Sequence, residues 1–87
     1  MMNINEKIAD IIAIVLKIDR DQMKQIAGND SLNAIGMDSI TCVGIVVEIE
    51  EAFNISFDDE ELLLDYLNTI NKLSKIVEQK MGLHSLT

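Results

Sequence analysis

The sequence predicts an all-α fold, a four-helix bundle with three long helices, one short third helix and a long first loop. Three observations carry that reading. Hydrophobic residues make up 48% of the 87 residues, yet only two Phe and one Tyr are aromatic, so Ile, Leu and Val must build the core. Proline is absent and glycines number four, which leaves long helices uninterrupted. Apolar residues also recur at helical spacing in three separate stretches.

In the first stretch Ile4, Ile8, Ile11, Ile12 and Val15 form the stripe of an amphipathic helix over residues 5–17, with Glu6 near its positive end. Residues 18–38 hold no sustained period, and Gly28, Asn29, Asp30 and Ser31 make a turn signal. About twenty residues of loop is long for a small domain and calls for a reason. Met23, Ile26, Leu32 and Ile35 supply one, as apolar anchors pinning the loop to the core; a short helical turn fits over residues 21–26.

The second helix covers residues 39–53. At ~100° per residue, Cys42, Ile45, Val46, Ile49 and Phe53 share one face, and Ile40, Val43 and Val47 share nearly the opposite face, with Gly44 between. The first face forms the core. The second has little left to pack against in a small bundle and reads as a docking strip. Glu48, Glu50 and Glu51 argue against a helix buried all round.

Asn54 is a C-cap residue. Asp58 or Asp59 opens a short third helix reaching residue 67, its acids crowded into the first turn as the dipole favours. Asn68 or Thr69 caps the fourth helix, whose stripe is Ile70, Leu73, Ile76 and Val77 and whose end is near Met81 and Gly82. Residues 1–82 form one domain, and residues 83–87 a loose tail.

Charge and special residues exclude several functions. Fifteen acids against seven bases give a net charge of −8, which turns nucleic acid away and favours basic protein surfaces. No apolar run is long enough to span a membrane, and residues 1–7 lack the basic and apolar blocks of a secretory signal, so a soluble cytoplasmic protein is expected. Cys42, the single cysteine, lies on the core face and reads as a small buried hydrophobe. His84, the single histidine, falls in the tail and offers no catalytic base. The acidic runs around Asp19 and Asp58 lack the alternating ligands and glycine of a calcium loop, so no metal is expected.

The segment Gly36-Met37-Asp38-Ser39-Ile40 holds the remaining information. Gly36 allows a sharp turn, Asp38 caps the first-turn N–H groups, and Ser39 stands exposed at the positive end of the helix. This segment resembles the prosthetic-group attachment site of acyl and peptidyl carrier proteins. Ser31-Leu32 leading into Ile35, the close of the second helix from Glu48 to Ile55, and Leu67-Asn68-Thr69-Ile70-Asn71-Lys72-Leu73 match the same family, so the resemblance covers residues 4–80.

The resemblance implies a carrier rather than an enzyme. Ser39 would hold 4'-phosphopantetheine covalently, with Asp38 as part of the attachment motif, and acyl or aminoacyl groups would ride on it as thioesters. The phosphodiester would lie where helix N-terminal amides favour an anion. The implied partners are a phosphopantetheinyl transferase and adenylating or acyl-transferring enzymes with basic docking surfaces, met by a monomer. Ile40, Val43 and Val47 would give the apolar contact, and Glu48, Glu51, Asp58, Asp59, Glu60 and Glu61 the acidic rim.

Thr41 and Gly44 depart from the family's primary fatty-acid carriers, which show acids there. The departure favours a stand-alone carrier for nonribosomal peptide, polyketide or similar specialised biosynthesis. Gly44 costs its helix ~1 kcal/mol relative to Ala and leaves a dent beside Val43 and Val47 for a partner side chain or the carried group. The alternatives are a cofactor-free helical interaction domain, or a fatty-acid or D-alanyl carrier of the same family.

Overall fold

The computed structural model describes residues 3–82. Among these, five α-helices and two 3-10 turns form the fold: α1 (Ile4–Leu16), α2 (Arg20–Lys24), α3 (Ser39–Phe53), α4 (Leu64–Leu67) and α5 (Ile70–Lys80), with the 3-10 turns at Leu32–Ile35 and Asp59–Glu61. The all-α bundle is as predicted, and no helix among the described residues is long and apolar enough to cross a membrane. The predicted tail and His84 lie outside the described residues.

The three long helices start where a short polar side chain can accept from their free N–H groups. Asn3 accepts from Glu6 N–H at 2.8 Å, Asp38 from Thr41 N–H at 2.8 Å, and Thr69 from Lys72 N–H at 3.1 Å. α1 and α3 end on left-handed residues, Lys17 at φ 58° and Asn54 at φ 56°. α1 packs against both α3 and α5. The core between them is aliphatic: Ile8, Ile12, Leu32, Ile45, Ile49, Leu67, Leu73 and Val77 are all shut off from solvent. Burying an Ile, Leu or Val side chain contributes roughly 1.5–3 kcal/mol, so this row of residues is what holds the helices together.

The long first loop is pinned as its apolar residues demand. Met23 and Leu32 are buried, and Ile26 and Ile35 are half-buried against the core. The helical turn begins at Arg20, one residue earlier than expected, because Asp19 accepts from Gln22 N–H at 2.8 Å and fixes its start. The loop is then sewn to the head of α5: Leu32 N–H donates to Asn68 O at 2.8 Å, Asn71 N–H to Gly28 O at 3.0 Å, and the Asn71 side-chain amide to Asn29 Oδ1 at 2.7 Å.

The predicted third helix is broken in two. Asp59–Glu61 makes a 3-10 turn, Leu63 is extended at φ −100° and ψ 133°, and α4 follows. Two local demands explain the break. Glu61 accepts from Asp58 N–H at 2.8 Å and lies 2.7 Å from Lys80, which closes the acidic turn onto α5. Leu64 and Leu67 turn instead toward the core. The chain straightens between the two.

Gly44 is also corrected. A Cβ built on it would lie 3.5 Å from Val15 Cγ1, an ordinary contact, so α1 covers the flank that the sequence left as a dent. Gly44→Ala is therefore expected to stabilise the fold by ~1 kcal/mol, a rise of about 4–8 °C in Tm for a domain of this size. Gly28→Ala is expected to do the reverse, because its Cβ would collide with the Asn71 carboxamide and cost about 1 kcal/mol through the broken Asn29–Asn71 bond. Thermal melts followed by circular dichroism check both signs.

Candidate functional site

The site is built by four consecutive residues with separate tasks. Gly36 ends the 3-10 turn at φ 109°, a left-handed conformation that L side chains rarely adopt. Met37 is buried, and its N–H donates to Leu32 O at 3.1 Å, so the chain is nailed down just before the helix. Asp38 is extended and acts as the N-cap of α3. Ser39 is the first helical residue, exposed, with its hydroxyl at the positive end of a helix of 15 residues.

The cap is reciprocal. Asp38 Oδ1 accepts from Thr41 N–H at 2.8 Å, and Thr41 Oγ1 accepts from Asp38 N–H at 2.8 Å. Hydrogen bonds from the Thr41 backbone and then from its hydroxyl hold the Asp38 carboxyl below the usual carboxylate range. By the family resemblance alone, Thr41 counts only as a missing acid. Its spacing from Asp38, the N-cap to N3 interval of a capping box, was the available signal.

Ser39 opens on a groove of about 160 Å³ lined by Ser39, Cys42, Val43, Val46, Leu62, Leu64 and Leu67. One wall is α3, and the other is the chain around α4. Cys42 is buried there and desolvation pushes its thiol up, in keeping with a packing role. On the outer face of α3 the expected strip is present: Ile40 is 82% exposed, Val43 61% and Val47 43%. Cys42, Ile45, Val46 and Ile49 face the core instead.

The expected acidic rim divides. Glu48, Glu51, Asp59 and Glu60 are exposed. Asp58 is exposed too, with one carboxylate oxygen 3.7 Å from Lys80 Nζ. Glu61 is half-buried and held by Lys80 at 2.7 Å. Partial desolvation acts to raise the Glu61 pKa, but the Lys80 ammonium and the Asp58 N–H outweigh it and hold the carboxyl below its ordinary range. Lys80 is raised in turn, first by its hydrogen bond to Glu61. Its ammonium also stands 5.9 Å from the centre of the Phe57 ring. Glu50, expected to need solvent, accepts from Phe57 N–H at 2.8 Å and ties the end of α3 to the strap of residues 54–63.

These contacts set measurable expectations. Thr41→Ala should lower stability by about 1 kcal/mol, with Thr41→Ser restoring most of it. Because the folded Asp38 carboxyl is depressed, its contribution is full above the ordinary carboxylate range and lost as pH falls through the folded value, so Asp38→Ala and wild type should converge in acid melts. Lys80→Met should cost about 1 kcal/mol and show coupling to Glu61→Gln in a double-mutant cycle. That coupling should fade in acid, as pH falls through the lowered Glu61 value, and in strong base, as it rises through the raised Lys80 value.

A family model described as "Phosphopantetheine attachment site" matches residues 6–77. The chain is similar to the acyl carrier protein of Bdellovibrio bacteriovorus, 32% identical over 79 residues that cover 91% of this chain and 96% of that one. It is 33% identical over 81 residues to the acyl carrier protein of Buchnera aphidicola subsp. Schizaphis graminum, covering 92% and 96%. A shorter match to the acyl carrier protein of Phytoplasma mali is 39% identical over 57 residues, 66% of each chain. No solved structure matches the chain at comparable significance. The chain thus belongs to the phosphopantetheine attachment family, whose members bear 4'-phosphopantetheine covalently on a serine, and it is an acyl carrier rather than an enzyme.

Proposed function

We propose that Ser39 is the serine that takes the phosphopantetheine, and that the chain presents acyl or aminoacyl groups in turn to a set of partner enzymes. The single observation that carries this is the exposed Ser39 hydroxyl at the first turn of α3, opening directly on an apolar groove. The residues fit the group. A phosphodiester on Ser39 Oγ would meet the positive end of α3, and the groove would receive apolar parts of a carried chain beside Cys42 and Val46.

In loading, Ser39 would give its hydroxyl proton to a base of the transferase, its oxygen would bond the phosphorus that coenzyme A presents, and the bond from that phosphorus to the departing nucleotide bisphosphate would break. When bound, the arm supplies a terminal thiol on which the carried group rides. The protein residues do the rest: the Asp38–Thr41 cap fixes the start of α3, and Met37 and Leu32 hold the approach to it. Ile40, Val43 and Val47 offer apolar contact to partners. Glu48, Glu51, Asp59 and Glu60 face basic side chains, while Asp58 and Glu61 serve the latch to Lys80.

Thr41 and Gly44 support a specialised pathway of the nonribosomal peptide or polyketide kind, working in the cytoplasm. The relatives' plain name, acyl carrier protein, favours a fatty-acid carrier as the second reading. Incubation with coenzyme A and a phosphopantetheinyl transferase should add one phosphopantetheine to the intact mass, and Ser39→Ala should abolish the addition. Persistence of the label in that variant would exclude Ser39. Loading the product with adenylating or with fatty acyl-transferring enzymes, read by mass, separates the two pathways.

A further inference from the structure

Positive charge is scarce in this chain, and part of it stands where the fold gives it no counter-ion. α5 carries three lysines against one glutamate, whereas α3 carries three glutamates and no base. Lys80 is taken up by Glu61 and Asp58, but among the described residues neither Lys72 nor Lys75 makes an ion pair. Both are exposed. Lys72 lies in the first turn of α5, where the helix dipole disfavours a cation, and Lys75 follows three residues on, beside it on the same face. Lys72 Nζ donates to Asp65 O at 2.7 Å and to Asn68 Oδ1 at 3.0 Å. Both acceptors are uncharged. An ammonium has three N–H groups, so one on Lys72 and those of Lys75 remain for another acceptor.

The two lysines edge a shallow trough of about 350 Å³ between α4 and α5, lined also by Glu61, Tyr66, Ile76 and Gln79. Tyr66 is 53% exposed and Ile76 half-buried, which puts apolar surface beside the positive edge. Glu61 does not neutralise that edge, because Lys80 holds it at 2.7 Å. The trough shares no residue with the groove at Ser39. We propose that it takes an acidic segment of a partner enzyme, with a carboxylate between the Lys72 and Lys75 ammonium groups and a neighbouring apolar side chain on Tyr66 and Ile76. An anion there relieves both the repulsion between the lysines and the opposition of Lys72 to the dipole. The carrier then offers its partners acids on α3 and bases on α5, and two patches of opposite sign fix the orientation of docking. A flat anionic surface such as a membrane fits less well: it leaves the trough unfilled and also meets Asp65, exposed next to Tyr66. The assignment does not depend on which serine bears the arm.

The probe is a synthetic peptide, acetyl-Leu-Glu-Asp-Leu-amide, titrated to about 10 mM into the isotope-labelled full chain and followed by amide NMR shifts. Saturable shifts are expected at Tyr66, Lys72, Lys75, Ile76 and Gln79, with a Kd of about 1 mM, the range of a single small contact. Lys75→Gln should raise that Kd at least about fivefold, and Lys75→Arg should keep it within about twofold. A peptide with Gln and Asn in place of its acids should bind at least about tenfold more weakly. Lys24→Gln, which removes an exposed base on α2, should change nothing. Melting by circular dichroism verifies that the variants are folded. No saturable shift at the named residues, shifts around Arg20 and Lys24 instead, or a Kd indifferent to Lys75→Gln or to the neutral peptide overturns the proposal. Co-sedimentation with phosphatidylserine vesicles and mass by sedimentation equilibrium check the other occupants. With the peptide silent, Lys75-dependent vesicle binding assigns the trough to a lipid surface, and Lys75-dependent dimerisation assigns it to the acidic rim of a second copy; either overturns the proposal. Modification at Ser39 is read separately by intact mass, so the two readings fail independently.

Discussion

The exchange of hydrogen bonds between Asp38 and Thr41 decides where α3 begins, and the rest of the site is counted from that residue. A helix whose start could slide by one residue would no longer hold Ser39 in its first position. Register then assigns every later residue at ~100° intervals: Cys42, Ile45, Val46 and Ile49 inward, Ile40, Val43 and Val47 outward. The two faces are not interchangeable, because α1 covers one flank through Val15 against Gly44 and the core closes the other. A single local cap thus links backbone chemistry to the exposure of one hydroxyl.

What precedes the cap is fixed by long-range contacts rather than by helical pattern. Leu32 is fully buried and reaches the junction of α4 and α5 through Asn68 O, and Met37 returns to Leu32 O, so the approach to Ser39 is anchored at both ends of a 3-10 turn. The positive φ of Gly36 lets the chain leave that turn and enter the extended Asp38. Loop residues here act as part of the scaffold, in spite of their polar composition.

The long helices were legible because they show several turns of unbroken period, and the span of α3 agrees with its expected bounds at both ends. The resemblance around Gly36 to Ile40 agrees with the family that the chain belongs to. The 3-10 turn at Leu32–Ile35 was not legible, since four residues carry no period. Nor was the break at Leu63, where the grip of Lys80 on Glu61 competes with the burial of Leu67: partners nineteen positions apart cannot be paired from one chain. Gly44 was misread because the sequence does not say which neighbour faces a helix flank. Glu50 and Glu61 looked like surface acids and instead bond inside the fold, a reminder that net charge says little about which carboxylates meet a partner.

The latch on Lys80 has a practical corollary. One ammonium, in the last turn of α5, steadies Glu61 and stands over Phe57, and through them it steadies the strap that leads into the groove wall at Leu62 and Leu64. Fraying of that turn therefore slackens a wall facing Ser39. An affinity tag or reporter fused directly after residue 80 therefore sits beside the contacts that hold this wall, and a spacer keeps it clear of them.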